Sequence, residues 1–516
     1  MTNKPLLLDC TLRDGGYYTN WDFDENLVED YCRTMENLPI EYVEVGYRSI
    51  PLKGYLGEYF YCPEYVLKRL KKLMPSKKLV IILNEKDIRA THVDELLGPC
   101  KDYIKLVRLA IDPSNFERAI VLAKAIKKMG FEVGFNVMYM SNWKENSTFL
   151  DLLEGLEDTI DYFYMVDSFG GVFSKDVIEI INLVKSKTKC ALGFHGHNNL
   201  EMAMANTLTA IDHGCSIVDA TITGMGRGAG NLRTELFLTY LDSQRITKIQ
   251  YNNLSAVVSK FEKLKAQFLW GTSLPYMFSG ANSLPQKQVM EWVGMNRYPI
   301  SSIVNALNNQ KDSLKDNFRL PVLQKEKKYN KAIILGGGKT VRNNSTAIKK
   351  LIKQNNDLCL VHAGARNVGE YLDVSCEQFY ALVGFESEKL LEKVKDFGNL
   401  SQTCVYPPYP RAMGTIVPNE IINLSKELSA VDFTKISSDS PLALAIQIAL
   451  DKGVKEIFFA GFDGYEASIN HTQYLVSQEN QKIFDDVLSY KNIVVTCITP
   501  TKYEHMNIIS VFSLIK

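Results

Sequence analysis

Two histidines, His195 and His197, stand two residues apart in Gly193-Phe-His-Gly-His-Asn-Asn199, at the end of an apolar run that begins at Cys190. In a buried strand, side chains at i and i+2 share a face, so both imidazoles reach one metal ion. Near the N-terminus, Leu6-Leu-Leu-Asp-Cys-Thr-Leu-Arg-Asp14 is a second apolar run, and it ends by delivering Arg13 and Asp14. Two imidazoles and a carboxylate leave coordination positions open for a substrate, as a Lewis-acid enzyme requires and a closed structural site does not.

The elements that must hold these groups alternate in type. Up to about residue 240, short β-rich runs at 6–12, 42–47, 79–84, 104–111, 132–138, 162–167, 191–195 and 217–222 are separated by amphipathic helical stretches. Eight such βα units predict a parallel (β/α)8 TIM barrel in an α/β chain. The polar clusters fall at the C-terminal ends of these runs, where barrel enzymes build their sites: Arg13 and Asp14, Glu44 and Arg48, Arg108, Asn136, Asp167 and Ser168, the histidine pair, and the loop from Gly224 to Asn231. The barrel is expected over residues 1–250, followed by a helical appendage at 251–310 and a charged linker at 311–330. Over 331–516, strands at 332–335, 358–362, 379–383, 456–460 and 493–498, with a helix at 441–451, predict a three-layer Rossmann-like domain.

Bulk properties narrow the partner. At 516 residues the chain exceeds one compact core, and its 59 basic residues balance its 59 acidic ones, so charge favours neither nucleic acid nor an anionic membrane. Its ten cysteines form no CxxC pair, as expected of buried thiols in a reducing compartment. With no uncharged apolar span of about 18 residues, a cytoplasmic protein with a small-molecule partner is expected.

Together, DCTLRDGG (residues 9–16), Met165-Val-Asp-Ser-Phe-Gly-Gly171, GFHGHNN and Thr223-Gly-Met-Gly-Arg-Gly-Ala-Gly-Asn231 resemble the DRE-TIM metallolyase superfamily, the HMG-CoA lyase-like barrels. Within it they look most like the 4-hydroxy-2-oxovalerate aldolases, class II aldolases that form pyruvate. The resemblance implies that Asp14, His195, His197 and Asn231 ligate a divalent cation, Mn2+ or Mg2+. It further implies that Arg13 stabilises an enolate oxygen and that Ser168 holds a substrate carboxylate. The position three after the metal aspartate, a catalytic histidine in those aldolases, is Tyr17 here, which makes Tyr17 the catalytic acid/base candidate. Chains opening with RDGGY and carrying a second α/β domain also look like aldolase-like proteins of surface-polysaccharide metabolism, which implies a sugar or sugar-acid substrate. Relatives of this kind form homo-oligomers.

The expected activity is metal-dependent carbon–carbon cleavage or formation at a 2-oxo acid such as pyruvate, through a metal-stabilised enolate. Two alternatives stand beside it: Claisen-type acyl transfer from acetyl-CoA, and an inactive binding protein or bifunctional chain whose C-terminal domain holds a nucleotide sugar. Other features have structural readings. Glu44, inside an apolar strand, is expected to pair with Arg108 or Arg13, and the glycine-rich loop 224–230 to turn Asn231 inward. Gly336-Gly-Gly-Lys339 reads equally as a βα turn or an anion site, and Asp463 as a ligand contact or a cap.

Overall fold

The computed structural model describes residues 4–311, 318–394, 397, 402–414, 416–465 and 470–515; residues 312–317 of the expected linker lie outside these. The chain divides into two compact units, Met1–Met290 and Glu291–Lys516.

In the first unit β1 (Leu6–Asp9), β2 (Tyr42–Tyr47), β3 (Lys78–Asn84), β4 (Ile104–Ile111), β5 (Glu132–Val137), β6 (Tyr162–Asp167), β7 (Ala191–Gly196) and β8 (Cys215–Ala220) form a closed parallel barrel. Closure is direct: β1 pairs with β2 on one side and with β8 on the other, Leu6 opposite Ile217 and Asp9 opposite Ala220. The strands read as nearly continuous apolar runs because both faces are covered, one by helices and one by the barrel interior. Inside, Leu8, Tyr42, Val80, Leu106, Tyr164 and Ile217 pack into a plug beneath the mouth. Truncating such a residue, Leu106→Ala for example, is expected to cost about 2–5 kcal/mol. Gly193 makes room for the plug, since a Cβ there would lie 2.4 Å from the ring of Tyr164, its partner on β6.

Two barrel strands, β1 and β8, end more than one residue before the sequence expectation, and both shape the mouth. β1 stops at Asp9 instead of running to residue 12, and Thr11–Thr19 is a helix. The buried Asp9 carboxylate causes the break: its Oδ1 accepts from Thr11 N at 2.9 Å and Thr11 Oγ1 at 2.6 Å, which turns the chain out of the sheet. β8 stops at Ala220, and Ile222–Gly224 forms a 3-10 turn.

The second unit is one parallel sheet of β9 (Lys331–Leu335), β10 (Leu358–Ala363), β11 (Gln378–Ala381), β12 (Gln402–Tyr406), β13 (Ser425–Glu427), β14 (Glu456–Ala460) and β15 (Val494–Cys497), in the order β13-β12-β11-β10-β9-β14-β15. Alternate residues of β9 serve opposite faces: Ala332 and Ile334 join the cluster under the helix Pro441–Asp451, and Ile333 and Leu335 the cluster under the helix Ser345–Lys353. This is the three-layer arrangement. β12 and β13 escape sequence reading because they are short, five and three residues, and carry no hydrophobic alternation. Among the described residues, no helix is long and apolar enough to cross a membrane.

Candidate functional site

Because β1 ends early, Arg13, Asp14 and Tyr17 reach the mouth from a helix. Arg13 and Tyr17 are four apart and share its inner face. The two glycines of the motif let that helix lie close to its neighbours: a Cβ on Gly16 would lie 2.1 Å from Trp21, and one on Gly15 2.5 Å from Met225 Sδ. Trp21 Nε1 donates to Arg13 O at 2.8 Å and holds the turn in place.

The charges at the mouth close into a ring. Arg13 pairs with Asp14 through Nη1 and donates through Nε to Glu44 Oε2 at 2.6 Å. Glu44 Oε1 lies 3.5 Å from Arg108 Nη1, and Arg108 Nη2 donates to Asp219 Oδ2 at 2.5 Å. Asp219 Oδ2 accepts from His195 Nδ1 at 2.8 Å, and His195 Nε2 returns to within 3.7 Å of Asp14 Oδ2. Glu44 thus pairs with both arginines, as its place in an apolar strand suggested. Arg108 is fully buried, and its guanidinium also lies 4.1 Å from the Tyr164 ring centre and donates to Asn136 Oδ1 at 2.6 Å. Burial pushes the carboxyls of Asp14 and Asp219 up, but Arg13 and the histidines for the first, and Arg108 and His195 for the second, outweigh it and hold both below the usual carboxylate value. Within the ring three carboxylates face two guanidiniums in a dry site, an arrangement suited to a further cation.

Both histidines have their tautomers set by partners that can only accept. His195 Nδ1 faces the Asp219 carboxylate, and His197 Nδ1 donates to Asp167 O at 2.7 Å, so in the neutral imidazole Nε2 is the nitrogen free to ligate. Burial, with His195 nearby, pushes His197 down to about 3, and it stays neutral. The rings lie 5.0 Å apart between centres. His197 follows β7 and bridges Asn231 in antiparallel fashion. The glycine-rich loop does bring Asn231 inward: a Cβ on Gly226 would lie 2.5 Å from Asn231 Nδ2, and Gly230 takes a φ of +78°. Asn231 Nδ2 donates to Asp14 Oδ2 at 2.6 Å, while its Oδ1 is buried with no hydrogen-bond partner.

That orphaned oxygen tests whether a divalent cation fits. Asp14 Oδ2 and His195 Nε2, 3.7 Å apart, are within the span of two coordinate bonds of about 2.1 Å, and His197 and Asn231 stand beside them. Among the described residues, the group of three whose donor atoms all lie within 4.8 Å of one another is Cys10, His195 and Asp219. It is the weaker set, because the Cys10 thiol, pushed up by burial, donates to Ala220 O, while Asp219 is already held by Arg108 and His195. Asp219 instead orients His195. Sequence reading missed it, although a single ionisable residue inside the apolar run Ser216-Ile-Val-Asp-Ala220 is the signal that marked Glu44.

Arg13, Asp14, Tyr17, His195 and His197 line a cavity of about 560 Å³ together with Tyr47, Ser168 and Arg227. Ser168 Oγ accepts from Tyr139 N at 2.9 Å. The Tyr17 hydroxyl lies 3.1 Å from that of Tyr47, and the Arg227 guanidinium sits 5.0 Å from the Tyr17 ring centre. Trp270 is packing, stacked on Tyr18 and donating to Thr223 O at 3.2 Å.

The barrel also matches known proteins. The HMGL-like family model covers residues 4–260, and a 4-hydroxy-2-oxovalerate aldolase of Bacillus cereus is 30% identical over 249 residues, 47% of this chain and 71% of that protein. The chain belongs to the HMGL-like family. An oxaloacetate decarboxylase of Mycobacterium tuberculosis is 27% identical over 239 residues, 46% of this chain and 70% of its own. The crystal structure of the N-terminal domain of a candidate aldolase from Bacteroides vulgatus is 51% identical with a TM-score of 0.56, covering 58% of this chain and 99% of that one. Both named relatives are enzymes, and the HMGL-like barrel is an enzyme domain of the lyase and aldolase kind.

Proposed function

We propose that the HMGL-like barrel is a divalent-cation-dependent carbon–carbon lyase of the class II aldolase type, releasing or consuming a 2-oxo acid such as pyruvate. The observation that carries this reading is the buried Asn231 Oδ1 without a partner, beside a ring in which three carboxylates face two guanidiniums. Asp14, His195, His197 and Asn231 hold the cation, and Mn2+ or Mg2+ suits their donor set. When bound, the ion supplies Lewis-acid polarisation of the 2-oxo group.

The chain's own residues do the rest. Arg13, fixed by Asp14 and Glu44, keeps a positive charge where the enolate oxygen develops, and its geometry is set before substrate arrives. Ser168 offers its hydroxyl to the substrate carboxylate while its oxygen stays anchored by Tyr139 N. Tyr17 exchanges a proton with the aldol hydroxyl through its phenol oxygen, with Tyr47 as the neighbouring hydroxyl in hydrogen-bond contact. The names of the relatives, an aldolase and a decarboxylase, support cleavage next to a 2-oxo acid. A sugar-acid substrate is supported by the opening Arg13-Asp14-Gly15-Gly16-Tyr17 motif.

The test is a pyruvate-release assay, coupled to lactate dehydrogenase, with oxaloacetate and 4-hydroxy-2-oxovalerate, on protein stripped by chelator and reloaded with Mn2+ or Mg2+. Activity that falls on stripping and returns with metal is expected. Release of free thiol from acetyl-CoA in place of pyruvate would replace this reading with acyl transfer.

A further inference from the structure

The second unit contains a cavity of about 1100 Å³ that the barrel chemistry does not use. It is lined by Gly337 and Gly338 after β9, Gly364 after β10 and Gly461 to Tyr465 after β14, and so opens at the carboxyl edge of the sheet. Strand order reverses there, between β9 and β14, and open parallel sheets bind ligands at that reversal because the two chain crossovers leave a crevice.

Three kinds of group in its wall point to a phosphorylated ligand. Lys339, Arg366 and Lys502 line it, and among the described residues none of them pairs with a carboxylate; Arg366 donates to Gly337 O at 3.2 Å and Lys502 to Tyr465 O at 3.3 Å. Ser440, Pro441 and Leu442 line it too, so the N-terminus of the helix Pro441–Asp451 faces the space with its free N–H groups and the positive end of its dipole. Ser440 occupies the N-cap position but caps nothing: it is 1% exposed, and its Oγ has no hydrogen-bond partner. A buried hydroxyl left unpaired keeps its desolvation penalty, which a ligand oxygen removes.

The glycine turn itself is not the anion cradle. Asp463 Oδ2 accepts from Thr340 N at 3.1 Å, so a carboxylate already caps the helix Lys339–Asn343. Asp463 is therefore the cap, and the bare helix N-terminus lies across the cavity wall at Ser440. The rest of the wall mixes charged pairs, Arg297 with Glu479 and Lys389 with Glu386, with the aromatic rings of Phe462, Tyr465 and Tyr503, in a volume far larger than an inorganic anion needs and suited to a nucleotide-sized molecule.

We propose that this cavity binds a nucleoside diphosphate or an ester of one. Its diphosphate takes the Ser440 hydroxyl, the helix N-terminus and the cations Lys339, Arg366 and Lys502, and its base lies against the aromatic wall. The experiment is calorimetric titration of the full chain with UDP, CDP, ADP, GDP and inorganic pyrophosphate. Saturable binding of at least one nucleoside diphosphate is expected, with pyrophosphate at least about tenfold weaker. Arg366→Ala, at an exposed position that leaves the fold intact, and Ser440→Ala should each weaken binding about tenfold or more. Asp14→Ala in the barrel should leave it unchanged, so failure here is separate from failure of the lyase reading. No saturable binding by any of the four nucleotides, or binding untouched by both Arg366→Ala and Ser440→Ala, would overturn the proposal. Pyrophosphate binding as tightly as the best nucleotide would overturn the nucleoside assignment.

Discussion

The two parallel sheets of this chain both gather their polar residues at carboxyl-terminal strand ends, yet the two edges are built on opposite electrostatic plans. At the barrel mouth each charge of the ring is matched to a neighbour: Arg13 to Asp14 and Glu44, Arg108 to Glu44 and Asp219, His195 to Asp219. At the edge of the open sheet, Lys339, Arg366 and Lys502 stand without carboxylate partners around a cavity about twice as large. A closed barrel excludes water, so its charges must be paired within the protein and are held rigidly enough to act on a bond. An open sheet leaves its edge wet, so unpaired cations there cost little and can wait for an anion.

The largest effect that could break this contrast is at the ring. Asp14→Ala removes a proposed metal ligand and the partner of Arg13, and should lower kcat/KM for pyruvate release by at least about 10³-fold. Near-normal turnover would move the chemistry away from the mouth. Next, Arg108→Met removes the guanidinium from Asp219, leaving it His195 alone, and leaves Glu44 with Arg13 alone, and should destabilise the barrel by about 3–5 kcal/mol in urea unfolding. Removing the exposed Arg366 from the open edge should leave stability within about 0.5 kcal/mol. Equal costs at the two positions would erase the distinction.

Asp219→Asn is smaller and more diagnostic. It keeps the shape but weakens the acceptor that orients His195, and should lower Mn2+ affinity about 10- to 100-fold with the fold retained. Metal titration followed by circular dichroism separates the two effects. The smallest effect concerns pH in the second unit. His362, buried against Gln378 Oε1 at 2.9 Å, is pushed down to about 4 by burial and is neutral when folded. The unfolded chain takes up a proton as pH falls below about 6.5 and the folded one does not until about 4. Stability of this unit should therefore decline across that window and level off below it. His362→Gln should flatten the decline, and an unchanged pH profile would assign the acid sensitivity to other groups.

Much of this was legible in one dimension. All eight barrel strands follow from their apolar runs, because a parallel strand covered on both faces has no choice of composition. Arg13, Asp14, Tyr17, Ser168, His195, His197 and Asn231 could be named from motifs, since each sits next to such a run or ends a glycine-rich loop. All of them except Asn231 line one cavity, and Asn231 reaches it through Asp14. What escaped was set by distant neighbours. That Arg13 and Asp14 ride on a helix depends on Asp9, whose carboxylate also takes the Thr234 hydroxyl, 225 residues away, at 2.6 Å. The short strands β12 and β13 carry no alternation to read.

The sequence by itself determined the alternation of strand and helix, the residues capable of metal chemistry and the glycines that allow close approach, because periodicity and side-chain type are local properties of the chain. Only the tertiary structure decided which carboxylate fixes His195, that Glu44 bridges both arginines, that Asn231 Oδ1 is left without a partner and that Ser440 caps nothing. Hydrogen-bond satisfaction and charge balance are sums over groups brought together from all parts of the chain, and they have no value until the sheets close and water leaves.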